Sequence, residues 1–321
     1  MGVRKLIDNQ AEVERLQAEN ASLLATIDRY QQQVENLRGS KYRLPKASKA
    51  KASKTDFARV VIPDVHGCKA NAGAVSAFLS DLEQVNPKQI VLLGDLLDCG
   101  GFLALHHTMS YGEETTYTYE DDISAAIQFL DEVQKRAPRA EIHYIEGNHE
   151  RRIETWCTTK ALSMGSPKPE LECEKLRELY APEVVLDLDR RKINHYRNGK
   201  YYHGLPIPCT IKLGRMHFTH GISTAQNCAA VHVSKFNGNV CYGHSHRADS
   251  AIIRTVSQGV IGAWNPGTLS ELQPLWRHTS PTNWSHGWGL QLIANNEDFM
   301  HINVPIYDGR SLLQNLTSRI G

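Results

Sequence analysis

The stretch ARVVIPDVHG at residues 58–67 decides the fold of this chain. Its Val and Ile residues predict a short buried strand, and a polar loop follows that strand directly. The segments KQIVLLGD at 88–95 and AEIHYIEGNHE at 140–150 repeat this arrangement. Between the three strands, residues 70–84 and 120–137 have helical patterns. The order β-α-β-α-β predicts a parallel sheet in an α/β domain.

The second half of the chain has a different pattern, in which short strand-like runs dominate. A hairpin is predicted at HYRNGKYYHG, residues 195–204, because Asn198-Gly199 stands between two such runs. Further short strands are predicted at RMHFTHG (215–221), NVCYGHSH (239–246), SAIIRTV (250–256), GVIGAW (259–264), WGLQLIA (288–294) and FMHINVPI (299–306).

Five of the predicted strands end in polar side chains that can bind metal. These ends are Asp64-Val65-His66, Asp95, Asn148-His149, His220 and His244-Ser245-His246. In open α/β sheets, ligands bind at the carboxyl ends of the strands. Imidazoles and carboxylates are costly to bury without partners, and a metal cluster would pair all of them.

The set is large enough for two divalent ions. Two ions at the usual spacing of about 3.5–4 Å need a bridging carboxylate, and Asp95 is the natural bridge. Asp64 and His66 are two residues apart on an extended segment, so both can reach one ion. The remaining ligands are Asn148, His220, His244 and His246. We expect Mn²⁺, with Fe, Zn or Ni as alternatives that accept the same donors. His149 is left over and is predicted to be the general acid.

Taken in order, the motifs DVH, GD, GNHE, HG and GHSH resemble those of the calcineurin-like metallophosphoesterase superfamily. The resemblance extends to NPGTLSE at 265–271, which is similar to the NPGS segment that follows GHxH in that family. It implies a four-layer α-β-β-α sandwich that hydrolyses phosphoesters at two metal ions. One ion would lie on Asp64, His66, Asp95 and His246, and the other on Asp95, Asn148, His220 and His244. His149 would protonate the leaving oxygen or stabilise the transition state.

The segment GDLLDCG at 94–100 is similar to the GDxVDRG segment of the phosphoprotein phosphatase branch of that superfamily. This similarity implies that Asp98 hydrogen-bonds His149. Cys99 stands where that branch has an Arg that grips phosphate, which weakens the protein phosphatase interpretation. Glu150 in GNHE points back toward the same branch, so the two signals conflict.

Two further sets of residues are candidates for substrate contacts. Arg151 and Arg152 follow His149 directly and could supply the missing phosphate contact; the alternative is a pair of solvated arginines in the first turn of a helix. Four tryptophans cluster near the C-terminus, namely Trp264, Trp276, Trp284 and Trp288. Aromatic side chains can stack on a base or sugar, and core packing is the alternative.

Residues 1–38 are predicted to form one helix with a heptad seam. Position a holds Leu6, Val13, Asn20, Ile27 and Val34, and position d holds Asn9, Leu16, Leu23, Tyr30 and Leu37. The other positions are mostly polar, so the apolar stripe is narrower than that of a helix packed on its own domain. The seam predicts a coiled coil that joins two chains into a dimer; packing against the chain's own domain or another partner is the alternative.

Residues 39–55 are predicted to be a flexible basic linker, and residues 56–321 the catalytic domain. Six positive charges fall in the linker without an acid, at Lys41, Arg43, Lys46, Lys49, Lys51 and Lys54. Such a segment cannot bury a core. It is either a solvated spacer or a contact for the phosphate backbone of a nucleic acid.

The composition excludes several classes of protein. A formal net charge of +1 gives no overall field toward nucleic acid or membrane. The N-terminus lacks the apolar segment of a secretory signal, and no run approaches the roughly 18 apolar residues of a membrane span. Seven cysteines without a CxxC pair are typical of reduced thiols. We therefore expect a cytoplasmic protein without a membrane partner.

Three functional hypotheses follow from the sequence. The first is a phosphodiesterase that acts on nucleic acid or nucleotides, favoured by the basic linker, the predicted dimer and Cys99. The second is a phosphomonoesterase, including a serine/threonine protein phosphatase, favoured by GDLLD together with GNHE. The third is a scaffold whose coiled coil is the working part and whose phosphatase core is inert. The intact ligand set argues against the third.

Overall fold

The structure is a computed structural model that describes residues 2–38, 55–103, 118–198, 207–274 and 280–313. The chain divides into two compact units, Met1–Ala52 and Ser53–Gly321. Within the described part of the chain, no helix combines the length and the apolar character needed to cross a bilayer.

The N-terminal unit contains one long helix, α1 (Gly2–Arg38), as the sequence pattern predicts. Apolar side chains of the predicted seam are exposed by 46 to 58%; they are Val13, Leu16, Leu23, Ile27, Tyr30 and Val34. The helix is thus confirmed, whereas the coiled coil stays a prediction. Positions 39–54 of the predicted linker lie outside the described residues.

The second unit is built on two mixed sheets. The strands are β1 (Thr55–Ile62), β2 (Gln89–Leu92), β3 (Glu141–Ile145), β4 (Ile193–Tyr196), β5 (Thr210–Leu213), β6 (Met216–Thr219), β7 (Asn239–Tyr242), β8 (Asp249–Thr255), β9 (Gly259–Asn265), β10 (Gly287–Ala294), β11 (Phe299–Tyr307) and β12 (Arg310–Ser311). The larger sheet has the order β12-β11-β10-β1-β2-β3-β4, and the smaller has the order β5-β6-β7-β9-β8. The strands predicted at both halves of the chain are therefore present. Residues 199–206 of the predicted hairpin lie outside the described residues.

Strand direction sets where the loops of each sheet come together. In the larger sheet β1 to β3 are parallel, as predicted, and β4 is parallel to β3. Strand β10 pairs antiparallel with β1 in a register that places Val60 opposite Leu290. In the smaller sheet β6, β7 and β9 are parallel. The carboxyl ends of the parallel strands within each sheet therefore lie along one edge.

In the described residues of the second unit, the strands are accompanied by six α-helices. They are α2 (Ala72–Val85), α3 (Tyr119–Arg136), α4 (Glu150–Ser163), α5 (Pro169–Tyr180), α6 (Pro182–Val185) and α7 (Cys228–Phe236). The first two begin at capping residues: the side chain of Asn71 accepts from the backbone N–H of Ala74, and Thr118 forms a capping box with Asp121. Thr118 and Asp121 thereby fix the start of the helix that the sequence pattern predicts at 120–137.

Alternate side chains of β1 point into two different hydrophobic cores, and this separates the layers of the fold. Val60 and Ile62 pack in a core that includes Phe78 of α2, whereas Val61 packs in a second core that includes Phe218 of the smaller sheet. Successive side chains of a strand point to opposite faces, so β1 contributes to both cores. A third cluster packs α7 on the outer face of β7 and β9. The order helix, sheet, sheet, helix confirms the predicted four-layer sandwich.

Candidate functional site

The predicted metal ligands come together where the strands of the two sheets end. Asp64 follows β1, Asp95 follows β2 and Asn148 follows β3. From the smaller sheet, His220 follows β6 and the His244-Ser245-His246 loop follows β7. Two groups of side chains, each with ligand atoms within 4.8 Å of one another, contain all of these residues except Asn148 and Ser245, and Asn148 touches the second group.

The first group consists of Asp64, His66 and His246. Nε2 of His246 lies 3.0 Å from Oδ2 of Asp64 and 3.0 Å from Nε2 of His66. Nε2 of His66 also lies 3.8 Å from Oδ2 of Asp95. Asp64 has no exposed surface, and the two histidines are buried. The three side chains therefore direct their ligand atoms at one small volume.

The second group consists of Asp95, His220 and His244, together with Asn148. Nε2 of His220 lies 3.2 Å from Oδ2 of Asp95 and 2.8 Å from Oδ1 of Asn148. The ligand atom of His244 lies within 4.8 Å of those of Asp95 and His220. Because Oδ2 of Asp95 lies near both groups, Asp95 occupies the position that a bridging carboxylate requires.

The donor atoms of both groups fit divalent metal ions. Two ligand atoms at right angles on an ion, with bonds of about 2.1 Å, stand about 3.0 Å apart. The contacts of His246 and His220 at 2.8 to 3.2 Å match that separation. Two buried imidazole nitrogens at 3.0 Å, as in His66 and His246, also gain a shared partner when a cation lies between them.

The tautomers of His66 and His220 also favour metal binding. Nδ1 of His66 lies 2.8 Å from Oδ1 of Asp98, and Nδ1 of His220 lies 2.9 Å from the carbonyl oxygen of Leu93. Since these oxygens accept, Nδ1 donates in both rings and Nε2 faces the cluster. Outer contacts of this kind orient metal-binding histidines and raise their basicity.

Several of these residues have a strained backbone. The φ angles are 60° at His66, 48° at Asp95, 68° at His244 and 54° at His246. Non-glycine residues rarely adopt the left-handed region, and such strain is concentrated at functional sites. Backbone hydrogen bonds hold the loops, including His66 N–H to Asp95 O at 2.9 Å and Gly243 N–H to His220 O at 2.9 Å.

Two motif glycines allow the β2 and β3 loops to meet. Gly94 has a φ of 101°, and a Cβ there would lie 2.5 Å from the backbone nitrogen of Gly147. A Cβ on Gly147 would in turn overlap Oδ1 of Asp95. Glycine in GD and GNHE is therefore required for the close approach of Asp95 and Asn148.

Charge within the cluster changes the pKa of most of its groups. Burial alone would lower the pKa of His66, but the hydrogen bond and charge of Asp98 outweigh it and raise the pKa to about 9. Burial is likewise outweighed at His220, where Asp95 and Asp64 raise the pKa to about 10. At His244, burial and the charge of His220 outweigh the charges of Asp64 and Asp95 and lower the pKa to about 4. Cations that entered the cluster would take over the role of these protons.

Asp98 lies between His66 and His149. Besides its contact with His66, its Oδ1 lies 3.2 Å from Nδ1 of His149, and its carbonyl oxygen lies 2.7 Å from the same nitrogen. Burial would raise the pKa of Asp98, but the hydrogen bonds of His149 and His66 hold it well below its usual range. The structure therefore places the Asp98 side chain beside His149, although the shorter contact of Nδ1 is with the Asp98 carbonyl oxygen, and Asp98 contacts a candidate metal ligand as well.

The two arginines that follow His149 lie in different places. Nη2 of Arg152 lies 2.8 Å from Nε2 of His149, and its Nη1 lies 3.1 Å from the carbonyl oxygen of Asp98. Arg151 instead lines a separate small cavity with Glu146, Glu154 and other residues. The structure therefore brings Arg152 to the cluster and does not bring Arg151 there.

Glu150 positions the metal loops, a role that the sequence reasoning missed. Its carboxylate accepts from the backbone N–H groups of Asp95 at 3.0 Å, Leu97 at 3.1 Å and Gly147 at 2.8 Å, and from the hydroxyl of Tyr144 at 2.8 Å. Burial and the charge of Asp95 raise the pKa of Glu150. The glutamate of GNHE was the available signal, but its spacing alone does not reveal which loops it joins.

The NPGT segment, residues 265–268, joins the two sheets at the site through hydrogen bonds. The side-chain amide of Asn265 donates to Gly243 O at 2.8 Å, and Thr268 Oγ1 donates to Asp64 O at 2.9 Å. Leu269 N–H also donates to Asp64 O at 2.9 Å. The segment thus connects the Asp64 loop with the GHSH loop.

A cavity of about 460 Å³ opens on the cluster. Candidate ligands and His149 form one part of its wall; Lys69, Arg247, Glu271, Gln273, Pro274, Asn283 and Trp284 form much of the rest. This volume lies in the range of pockets that enclose whole small molecules. The site therefore has room for groups on either side of a phosphate.

The chain belongs to the calcineurin-like phosphoesterase superfamily, because the sequence model of that superfamily's domain matches residues 58–280. This match confirms the family that the five motifs resemble. None of the curated proteins compared with the chain matches it.

Solved structures with a similar arrangement include Yfce, a phosphoesterase from E. coli, with 18% identity over 77% of this chain and 98% of that one, at a TM-score of 0.30. Vacuolar protein sorting 29 from Cryptosporidium parvum has 10% identity over 80% of this chain and 95% of that one, at a TM-score of 0.38. These scores are too low to add to the family assignment.

Proposed function

We propose that this chain is a phosphoester hydrolase that depends on two divalent metal ions, and that it is a phosphodiesterase acting on nucleotides or nucleic acid. The observation that carries the proposal is the pair of ligand groups that share Asp95 inside a calcineurin-like phosphoesterase domain. Mn²⁺ is the first metal to test, followed by Fe, Zn and Ni, because the donors mix imidazole, carboxylate and amide.

In this proposal Asp64, His66, Asp95 and His246 hold one ion, and Asp95, Asn148, His220 and His244 hold the other. When bound, the two ions would lower the pKa of water and neutralise the phosphoryl oxygens. The chain's own residues orient the phosphoester and move the proton. Asp98 fixes the ring of His149, which gives a proton to the leaving oxygen.

Arg152 must move for His149 to act as an acid. The carbonyl oxygen of Asp98 can only accept, so Nδ1 of His149 carries a proton; the guanidinium of Arg152 can only donate, so Nε2 of His149 accepts. An imidazole in this arrangement has no proton on the nitrogen that would face the leaving group. We propose that Arg152 turns from His149 to a phosphoryl oxygen when substrate binds, which frees Nε2 to be protonated. Arg151 remains a weaker candidate for the same contact.

A diester substrate is supported by two observations. Cys99, which stands where the protein phosphatase branch has a phosphate-gripping Arg, is fully buried and cannot contact a free phosphate. The cavity beside the cluster is also large enough for a second ester group. The contact of Asp98 with His149 favours the alternative, a phosphomonoesterase or serine/threonine protein phosphatase.

The N-terminal segment would serve the same activity. We propose that the exposed seam of α1 pairs two chains, and that the basic residues 39–55 contact the backbone of a nucleic acid. Each phosphate contact adds salt-dependent affinity. The seven cysteines, all free thiols, suit a reducing compartment such as the cytoplasm.

A substrate panel tests the proposed function. Bis-p-nitrophenyl phosphate, p-nitrophenyl phosphate, a phosphopeptide and single- and double-stranded DNA are each incubated with Mn²⁺, Zn²⁺, Ni²⁺ or Mg²⁺. We expect metal-dependent hydrolysis that is faster for the diesters than for the monoester or the phosphopeptide. Faster hydrolysis of the monoesters would select the alternative, and no hydrolysis with any metal would overturn both.

A further inference from the structure

The structure separates the four C-terminal tryptophans by environment. Trp288 is fully buried, and its indole N–H donates to Oδ2 of Asp81 at 3.0 Å, so it belongs to the core. Trp264 stacks on His301 at 5.2 Å between ring centroids. Trp276 lies outside the described residues. Trp284 is partly exposed and lines the cavity beside the metal cluster.

Trp284 stands directly against the candidate metal site. Its ring centroid lies 4.1 Å from that of His246, with the two planes inclined by 64°. A group bound at the cluster through its phosphate therefore has this indole within reach. Core packing does not account for the position, because the same side chain forms part of the cavity wall.

Hydrogen bonds to the loops that contain His246 and Thr268 hold the backbone beside Trp284. The N–H of Ser285 donates to His246 O at 2.9 Å, and Ser285 O accepts from Thr268 N–H at 3.0 Å. The hydroxyl of Ser285 also accepts from the N–H of Ala248 at 2.8 Å. The backbone next to the indole is thus held before any ligand arrives, which reduces the ordering cost of stacking on it.

The remaining wall suits a neutral planar group better than a second charged one. Pro274 adds apolar surface to the same cavity, and Asn283, an exposed residue, adds a side-chain amide. Lys69, Arg247 and Glu271 line the same cavity, and the guanidinium of Arg247 already donates to the carbonyl oxygens of Ala225 and Gln226. An aromatic ring with hydrogen-bonding edges, which is the character of a nucleobase, fits these neighbours.

We infer that Trp284 is the base subsite of this enzyme: the nucleobase next to the scissile phosphate stacks on Trp284 while the phosphate lies at the Asp95 cluster. This inference rests on the proposed phosphoester hydrolysis and narrows its substrates to esters that carry a nucleoside. Substitution of an aromatic side chain that stacks on one base by alanine lowers affinity by about 5- to 150-fold.

The test compares two diesters that have the same charge and the same leaving group. They are the p-nitrophenyl ester of thymidine 5′-phosphate and methyl p-nitrophenyl phosphate, which differ only in the nucleoside. The wild-type protein should favour the thymidine ester in kcat/KM. Trp284→Ala should lose about tenfold on the thymidine ester and less than twofold on the methyl ester. Trp284→Phe, which keeps an aromatic ring, should retain most of the preference.

Trp156→Phe is the matched control, since Trp156 packs on Phe102 and Tyr180 of the helical layer and does not line the cavity. It should leave both rates unchanged. Metal content is measured in every variant because Trp284 touches His246. An equal loss on both esters in Trp284→Ala would mean that Trp284 only supports His246, and it would overturn the base subsite.

A binding experiment separates the failure of this inference from the failure of the proposed function. Dissociation constants of thymidine 5′-phosphate and ribose 5-phosphate are measured in the presence of Mn²⁺. The wild-type protein should prefer the nucleotide, and Trp284→Ala should bind the two equally. This result would support the subsite even if neither diester were hydrolysed. Hydrolysis of both diesters without a preference for thymidine would overturn the subsite and leave the proposed hydrolase intact.

Discussion

Nη2 of Arg152 lies 2.8 Å from Nε2 of His149. The guanidinium of Arg152 therefore donates to Nε2 of His149, the nitrogen that a general acid would direct at the leaving group. Arg151, the neighbouring residue, lines a different cavity. Successive residues on an α-helix point about 100° apart, which explains how two adjacent arginines reach separate sites.

The first prediction distinguishes these two arginines. If Arg152 turns to the phosphoryl group, Arg152→Ala should lower kcat/KM by about 10- to 100-fold, the range expected for a charged hydrogen bond. Arg152→Lys should be intermediate, because it keeps the charge and loses the planar fork. Arg151→Ala is the matched control and should change kcat/KM less than twofold. Steady-state kinetics on a chromogenic diester decide the point; a larger effect at Arg151 would contradict the assignment.

The second prediction concerns His149. His149→Asn should keep the metals and lose about 10²- to 10⁴-fold in rate, because a positioned acid contributes that much. Esters with very good leaving groups need less protonation, so they should be affected less. Rates are compared across a series of phenyl esters of increasing leaving-group pKa. Equal losses across the series would show that His149 stabilises charge and does not transfer a proton.

The sequence alone was sufficient to predict the strand ends and the family, because the GD, GNHE and GHSH motifs sit at positions that the parallel strands bring together. Helix α5 was not predicted, and α4 (Glu150–Ser163) was considered only as the alternative setting of Arg151 and Arg152. Only one face of α4 is buried, through residues such as Ile153, Cys157 and Ala161, and α5 has no fully buried residue, so their apolar patterns are weak. The four hydrogen bonds that Glu150 accepts and the position of Trp284 beside the cluster depend on tertiary contacts. The spacing of residues along the sequence does not reveal such contacts.

The third prediction concerns pH and stability. His301 contacts Asn303 Oδ1 through Nε2 and the amide of Gln291 through Nδ1, and burial lowers its pKa to about 4. The ordinary pKa is near 6.5, so the unfolded chain binds more protons between pH 6.5 and 4. The contribution of neutral His301 to stability is therefore fully present above pH 6.5 and is lost as the pH falls toward 4.

His301→Gln removes this titration. Lowering the pH from 7 to 5 should reduce the free energy of unfolding of both proteins. The reduction should be smaller in the variant than in the wild type, by up to about 2 kcal/mol. Urea unfolding at several pH values measures the difference, and the metal-site histidines cancel because both proteins contain them. Above pH 7 the two curves should run parallel. Parallel curves down to pH 5 would refute the low pKa of His301.

The fourth prediction links α1 to the substrate. Deletion of residues 1–38 should convert a dimer into a monomer and leave hydrolysis of small chromogenic esters unchanged, since every candidate ligand lies after residue 57. Two sites on one dimer raise the effective concentration along a polymer. Binding to DNA should therefore weaken, and deletion of residues 1–55 should also flatten its dependence on salt. Light scattering and salt-titrated binding test both effects; a monomeric full-length protein would rule out the coiled coil.

Metal content of Asp95→Asn tests the central claim most directly, because both proposed ions share this carboxylate. Wild-type protein equilibrated with Mn²⁺ and freed of excess metal should contain two ions per chain by elemental analysis and should hydrolyse a diester. Asp131→Asn, at an exposed carboxylate on α3, should behave like the wild type. Asp95→Asn should bind at most one ion and lose measurable turnover. Two bound ions and full activity in Asp95→Asn would contradict the two-metal site.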